Sequence, residues 1–248
     1  MNKVLLITGG SRGIGAATAR LAASQGYAVA VNYCANSLAA GEVVRQIRAL
    51  GGTAITVQAD VAVESQVLAM FAQVDAQLGR LSALVNNAGV VDVTARVDQM
   101  SLARWRRMFD IHVFGSMLCA REAVLRMSTR HGGAGGAIVN LSSVASSHGA
   151  PGQYVDYAAA KGAIDAFTLG LGREVALEGI RVNAVRPGII DTEIHASGGQ
   201  PDRARQLAPM IPMQRAGTAQ EVAQAIVWLL SDASSYTTAS ILDVSGGR

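Results

Sequence analysis

Cysteine is nearly absent. Cys34 and Cys119 are the only two in 248 residues, and they form no Cys-x-x-Cys pair. A disulfide framework and a cysteine zinc site are excluded, no other metal-ligand spacing stands out, and reduced core thiols are the expectation. Proline is scarce too, at five, and no Pro/Ser-rich stretch or charge block divides the chain, so residues 1–248 read as a single domain. Aromatics make up 4% and charged residues 16%, with a net charge of +3. The arginines are scattered and not interleaved with aromatics, which argues against a nucleic-acid partner. No apolar run approaches the roughly 18 to 20 residues of a bilayer span. The stretch Val4 to Ile7 is too short for a secretory signal and leads into glycines. A cytoplasmic protein with no membrane partner is expected. Half of the residues are hydrophobic, enough for an extensive core.

What is present begins with Val4-Leu5-Leu6-Ile7-Thr8-Gly9-Gly10-Ser11-Arg12-Gly13-Ile14-Gly15. Four bulky apolar residues in succession suggest a strand buried on both faces of a parallel sheet. Gly9, Gly13 and Gly15 then turn the chain into a helix whose free N–H groups suit an anion such as a dinucleotide pyrophosphate. The spacing is Gly-x-x-x-Gly-x-Gly, so the commoner Gly-x-Gly-x-x-Gly fingerprint is not met.

Along the chain, helices are predicted over 14–24, 38–50 (capped by Asn36 or Ser37), 64–78, 101–130 (one long helix capped by Ser101 and bent at Gly115), 154–178 and 221–230. Strands are predicted over 28–33, 53–58, 83–85, 137–141, 181–185 and 240–244. The segment 189–217 is irregular, with a short helix near Arg203, and has the length of a cover over a site. Alternating strands and helices imply an α/β fold, a doubly wound Rossmann-like parallel sheet with helices on both faces. Its ligands sit at the carboxyl ends of the strands, where the glycine turn, Asp60, Asn86 to Gly89, Ser142-Ser143 and Pro187-Gly188 all fall.

Tyr157 and Lys161 lie four apart on one helix face, an arrangement in which an ammonium lowers a phenol pKa and makes tyrosine a general acid or base. A hydroxyl from Ser142-Ser143, at a strand end, can bond a carbonyl oxygen as it gains charge. No Gly-x-Ser-x-Gly elbow is present, so a serine hydrolase is not indicated.

Thr8 to Gly15, Asp60-Val61, Asn86-Asn87-Ala88-Gly89, Ser143, Tyr157-Ala158-Ala159-Ala160-Lys161 and Pro187-Gly188 occur in order over essentially the whole chain. Together they resemble the short-chain dehydrogenase/reductase family. The resemblance implies hydride transfer between a nicotinamide cofactor and a small-molecule carbonyl or secondary alcohol. Tyr157 would exchange the proton, Ser143 would hold the substrate oxygen, and Lys161 would tune the tyrosine and bind the nicotinamide ribose. Gly9, Ser11, Arg12, Gly13, Ile14 and Gly15 would form the phosphate turn, with Tyr33 at the end of the second strand near the adenosine ribose. Asp60 would bind the adenine amino group with Val61 under the ring, and Asn87, Ala88 and Gly89 would pass close to the ribose. Pro187, Gly188, Ile190 and Thr192 would contact the nicotinamide.

Two departures stand out. His112, in Phe109-Asp110-Ile111-His112-Val113, occupies the position where the family usually has an asparagine of the proton relay. Imidazole can serve that relay, yet at its ordinary pKa near 6.5 it would switch the relay off in acid. Ser143 precedes Tyr157 by 14 positions, one more than in many members, which leaves Ser142 open as the carbonyl contact.

The second strand ends without an acidic residue, and Arg12 offers a fork for a 2′-phosphate, so NADP(H) is favoured and NAD(H) stays open. The nearest subgroup by resemblance holds 3-oxoacyl-[acyl-carrier-protein] reductases and sugar or polyol dehydrogenases. Arg126 and Arg173 stand where the former meet an acyl-carrier protein, and His195 and Met210 are candidates for the substrate pocket. The helices carrying His112 and Tyr157 would build a homotetramer. A non-catalytic dinucleotide-binding regulator is the reading of a different class.

Overall fold

The computed structural model describes residues 3–248 apart from the His195 side chain. The first half of the chain forms Lys3–Ile7 (β1), Gly13–Ser24 (α1), Tyr27–Tyr33 (β2), Ser37–Ala49 (α2), Ala54–Gln58 (β3), Glu64–Leu78 (α3) and Ala83–Asn86 (β4). Leu102–Phe109 (α4), Gly115–Met127 (α5), Gly136–Leu141 (β5), Ala145–His148 (α6) and Val155–Glu174 (α7) follow. The remainder comprises Ile180–Pro187 (β6), Ile190–Asp191 (β7), Ile194–Ser197 (α8), Arg203–Leu207 (α9), Gly217–Thr218 (β8), Ala219–Leu230 (α10) and Ser240–Val244 (β9).

Seven strands form one parallel sheet in the order β3-β2-β1-β4-β5-β6-β9. Along β1 the side chains alternate between two cores, Leu5 and Ile7 packing with α1, α2 and α10, Val4 and Leu6 with α3 and α5. An unbroken apolar strand therefore has two dry faces to fill, and the doubly wound expectation holds. Strand order reverses between β1 and β4, where such a sheet opens a crevice at its carboxyl edge. No described helix is long and apolar enough to cross a membrane.

The predicted caps at Asn36 and Ser101 are present, accepting from Ala39 N at 2.9 Å and Arg104 N at 3.2 Å. Three expectations are corrected. The helix over 101–130 is interrupted by a π turn at Asp110–Phe114 between α4 and α5, placing the break before Gly115. A Cβ on Gly115 would stand 2.8 Å from Val61, so the helix there passes hard against the β3 end loop. The segment 189–217 is less irregular than expected, because β7 and β8 pair in parallel and close its base. Cys34 is exposed rather than a core thiol, since it follows β2 at the open carboxyl edge; Cys119 is buried.

Candidate active site

The chain leaves β1 through Gly9 (φ 60°) and enters α1 at Gly13 (φ 51°), left-handed conformations that glycine adopts without strain. Arg12 at the N-cap makes no side-chain cap, and the first turn holds no acidic residue, leaving its N–H groups directed at an anion. Side chains absent from the motif reading fix the turn. Asn32 Oδ1 accepts from Gly9 N at 3.0 Å while its Nδ2 donates to Ala59 O at 3.0 Å, tying the turn to β2 and the end of β3. Thr8 Oγ1 accepts from Asn87 N and Ala88 N, both at 3.0 Å, and Asn87 Nδ2 donates to Gly9 O at 2.9 Å.

Around the turn lies a cavity of about 520 Å³ bounded by Gly9, Ser11, Arg12, Gly13, Ile14, Tyr33, Asp60, Val61, Asn87, Ala88, Gly89 and Thr192. Nearly all of the residues expected to meet the pyrophosphate and adenosine are thus brought together. Gly15 is the exception. It does not line the cavity, because it lies under the turn, where a Cβ would stand 2.5 Å from Gly9 O and 2.6 Å from Asn87 Nδ2. An elongated polar cavity ending on an uncapped helix N-terminus fits a dinucleotide.

A second cavity, of about 390 Å³, shares Ile14, Asn87, Gly89 and Thr192 with the first and continues past Pro187, Gly188 and Ile190 to Ser143, Tyr157 and Lys161. Ser143 at the end of β5 hydrogen-bonds the Tyr157 hydroxyl, which draws the phenol pKa down, but burial outweighs this and the net direction is upward. The expected lowering by Lys161 is not seen. Its Nζ lies 5.6 Å from the Tyr157 ring centre and donates to Leu141 O at 2.5 Å, so the ammonium is directed at the β5 backbone. Burial lowers the lysine to about 8, opposed by the Asp165 carboxylate. Ser142 turns away from the phenol, donating to Lys161 O at 3.3 Å, which leaves Ser143 in position to meet a substrate oxygen.

His112, on the π turn, is 1% exposed and stands edge-on to Tyr157, with ring centres 5.2 Å apart. Its Nε2 lies 2.8 Å from Val90 O, and Nδ1 is buried without a partner among the described residues. Burial, and next the nearby Lys161 charge, hold the imidazole down at about 3. The expected acid switch near neutrality is therefore absent: this imidazole is neutral. A Cβ on Gly89 would stand 2.6 Å from its Cε1, so the glycine makes room for the ring.

A buried polar ladder supports these groups from below. Asn86 Nδ2 donates to Asn140 Oδ1 at 2.9 Å, and Asn140 Nδ2 to Thr168 Oγ1 at 2.9 Å, linking β4, β5 and α7. A polar residue interrupting an apolar strand, as in Ala137-Ile138-Val139-Asn140, was the available sequence signal. Of the residues offered for the substrate pocket, Met210 is 72% exposed and outside the cavity, and the His195 side chain lies outside the described residues. Arg126 is held by Asp75 at 2.7 Å and Glu122 at 3.0 Å over the Phe71 ring, an anchored rather than a free cation.

A parallel α/β nucleotide cradle joined to a Ser–Tyr–Lys cluster defines a class, the oxidoreductases that act on CH–OH groups with a nicotinamide cofactor. The chain belongs to the short-chain dehydrogenase/reductase family. A family model described as enoyl-(acyl carrier protein) reductase matches residues 9–248. An uncharacterised oxidoreductase of Escherichia coli K12 is 57% identical over 99% of both chains. A cis-4-hydroxycyclohexanecarboxylate dehydrogenase of Sinomonas cyclohexanicum is 40% identical, covering 99% of this chain and 96% of its own. A 3-oxoacyl-[acyl-carrier-protein] reductase of Staphylococcus aureus is 37% identical, covering 100% and 98%. Among solved structures, a Serratia marcescens short-chain dehydrogenase/reductase double mutant superposes with a TM-score of 0.91 at 31% identity, covering 100% of this chain and 98% of that one.

Proposed function

We propose that the protein transfers hydride between NADP(H) and a small-molecule ketone or secondary alcohol, with Tyr157 as the proton-exchanging residue. The observation that carries this reading is the Ser143–Tyr157 hydrogen bond in a cavity that also contains Lys161 and Gly188. Bound nicotinamide supplies or accepts the hydride; the chain's own residues manage the oxygen and the proton. Ser143 donates to the substrate oxygen as charge develops, and Tyr157 gives its proton to it or takes one from it. Lys161 stays cationic at neutral pH, stabilises the phenolate once its ammonium turns from Leu141 O, and holds the nicotinamide ribose. His112, neutral with an open Nδ1 acceptor, passes the proton on.

NADP(H) is preferred over NAD(H) because Arg12 borders the adenosine cavity while β2 ends in Asn32-Tyr33 without a carboxylate. The whole chain acts as one domain, with 189–217 covering the substrate from a base pinned by β7 and β8. A homotetramer is supported by the exposed apolar side chains of Leu102, Phe114 and Leu125 around α4 and α5. Acyl-carrier docking is not included, because Arg126 is engaged within its own fold.

The test is oxidation of NADPH and NADH on ketones, 3-oxoacyl thioesters and sugars, with Tyr157→Phe beside the wild type. The variant should lose about 10²- to 10⁴-fold in kcat. Equal turnover by the variant would remove the proposed mechanism, and silence across the panel would favour a non-catalytic regulator. Arg12→Ala should weaken NADPH about tenfold and NADH little, read as Kd by fluorescence titration.

A further inference from the structure

The Tyr157 cavity carries an unbalanced charge. Its wall contains three cations, Lys161, Arg203 and Arg248, and no aspartate or glutamate. Lys161 is engaged by the Leu141 carbonyl and balanced by Asp165. Arg203 and Arg248 have no carboxylate in ion-pair reach among the described residues. Elsewhere around the site, Arg104 pairs with Asp156 at 2.7 Å, Arg186 with Asp165 at 2.8 Å and Arg215 with Glu221 at 2.5 Å.

Arg203 is also held in place. It opens α9 in the covering segment, with Cζ 5.4 Å from the Tyr154 ring centre, and donates to Gln200 Oε1 and Gln153 Oε1, each at 2.5 Å. Neutral amides and a ring face orient the guanidinium without neutralising it. Gln153 and Tyr154 directly precede the helix that carries Tyr157, so one short stretch positions both the arginine and the reacting phenol. Arg248 reaches the same wall close enough to His148 to depress its imidazole, after burial itself.

Resting on the oxidoreductase reading above, we propose that the substrate is an oxo acid or hydroxy acid. Arg203 receives its carboxylate, with Arg248 alongside, while the carbonyl or alcohol carbon stands at Ser143 and Tyr157. The planar fork of arginine matches a carboxylate, and the remaining wall, with Val144, Ile189 and Ile194, suits an apolar body between the two groups.

The experiment measures kcat/KM with NADPH and with NADH for oxo acids of increasing length, from 4-oxopentanoate to 8-oxononanoate, each beside its methyl ester. At the fitting length the acid should exceed its ester by about tenfold or more, chiefly through KM. Arg203→Gln should bring acid and ester to the same value, and Arg203→Lys should keep part of the preference. Calorimetry with octanoate, which cannot react, should show binding to the wild type and none to Arg203→Gln melting at the same temperature. Esters matching acids at every length, or Arg203→Gln lowering both alike, would overturn the proposal. Turnover of esters and neutral ketones alone would overturn it and leave the oxidoreductase reading standing. No turnover of any carbonyl would remove both.

Discussion

The cavity at the glycine turn and the cavity at Tyr157 share Ile14, Asn87, Gly89 and Thr192, yet their walls are made differently. The first is made largely of backbone: glycines at positive φ, an open helix N-terminus and loops laced by Thr8, Asn32 and Asn87. The second is made of side chains from β5, α6, α7 and the covering segment, and its charged groups are buried or unbalanced. A wall of backbone recognises what every dinucleotide has in common and tolerates little added bulk. A wall of side chains sets the reaction and the substrate, and can change one residue at a time.

Bulk added to the first wall should have the largest effect. In Gly15→Ala the new methyl meets the Gly9 carbonyl at 2.5 Å, and backbone cannot yield as a side-chain tip would. A stability loss of about 3 kcal/mol and loss of dinucleotide binding are expected, read by denaturant unfolding and nucleotide titration. Unaltered affinity would mean that the two walls are equally adaptable.

Charge removed from the second wall should act in the opposite direction. Lys161 is depressed to about 8 from 10.5, so the folded protein holds this proton less tightly than the unfolded chain does. The penalty of roughly 3 kcal/mol is complete below pH 8 and vanishes as pH rises to about 10.5. Lys161→Met, which also leaves the Leu141 carbonyl unpaired, should therefore gain about 2 kcal/mol at pH 7, near 5 °C in Tm, and nothing at pH 11, while losing activity. A lower Tm at pH 7 would contradict this.

The smallest effect concerns His112. Its pKa of about 3 against 6.5 unfolded means that acid destabilises the fold, increasingly as pH falls from 6.5 toward 3. His112→Asn should recover about 1 kcal/mol at pH 5.5 relative to pH 7.5 in urea unfolding. Persistence of the full acid loss would place the titrating group elsewhere.

The same division decides how much could be read from the sequence. Strand β1, the alternation of elements and the nucleotide cradle were legible because they depend on apolar runs and glycines close together in the chain. Tyr157, Lys161 and Ser143 were legible by spacing and order. Arg203 and Arg248 were not, since an isolated arginine in a loop looks solvated until folding brings it to the wall that holds Tyr157. Nor was the direction of the Tyr157 shift, which is set by burial and by which atom the Lys161 ammonium faces. The π turn escaped notice because the apolar pattern resumes after it with only a change of phase.

That change of phase has a consequence for the lineage of this chain. A wide turn contains one residue more than an ordinary helix would need, so it acts as a stored insertion. Deleting a single residue between Asp110 and Phe114 would let the helix run straight, but every position after it would rotate by about 100°. Cys119, Ala120, Ala123 and Met127 would then swing off the sheet together. Single-residue indels in this stretch should be lethal, whereas substitutions that keep its length can be sampled one at a time.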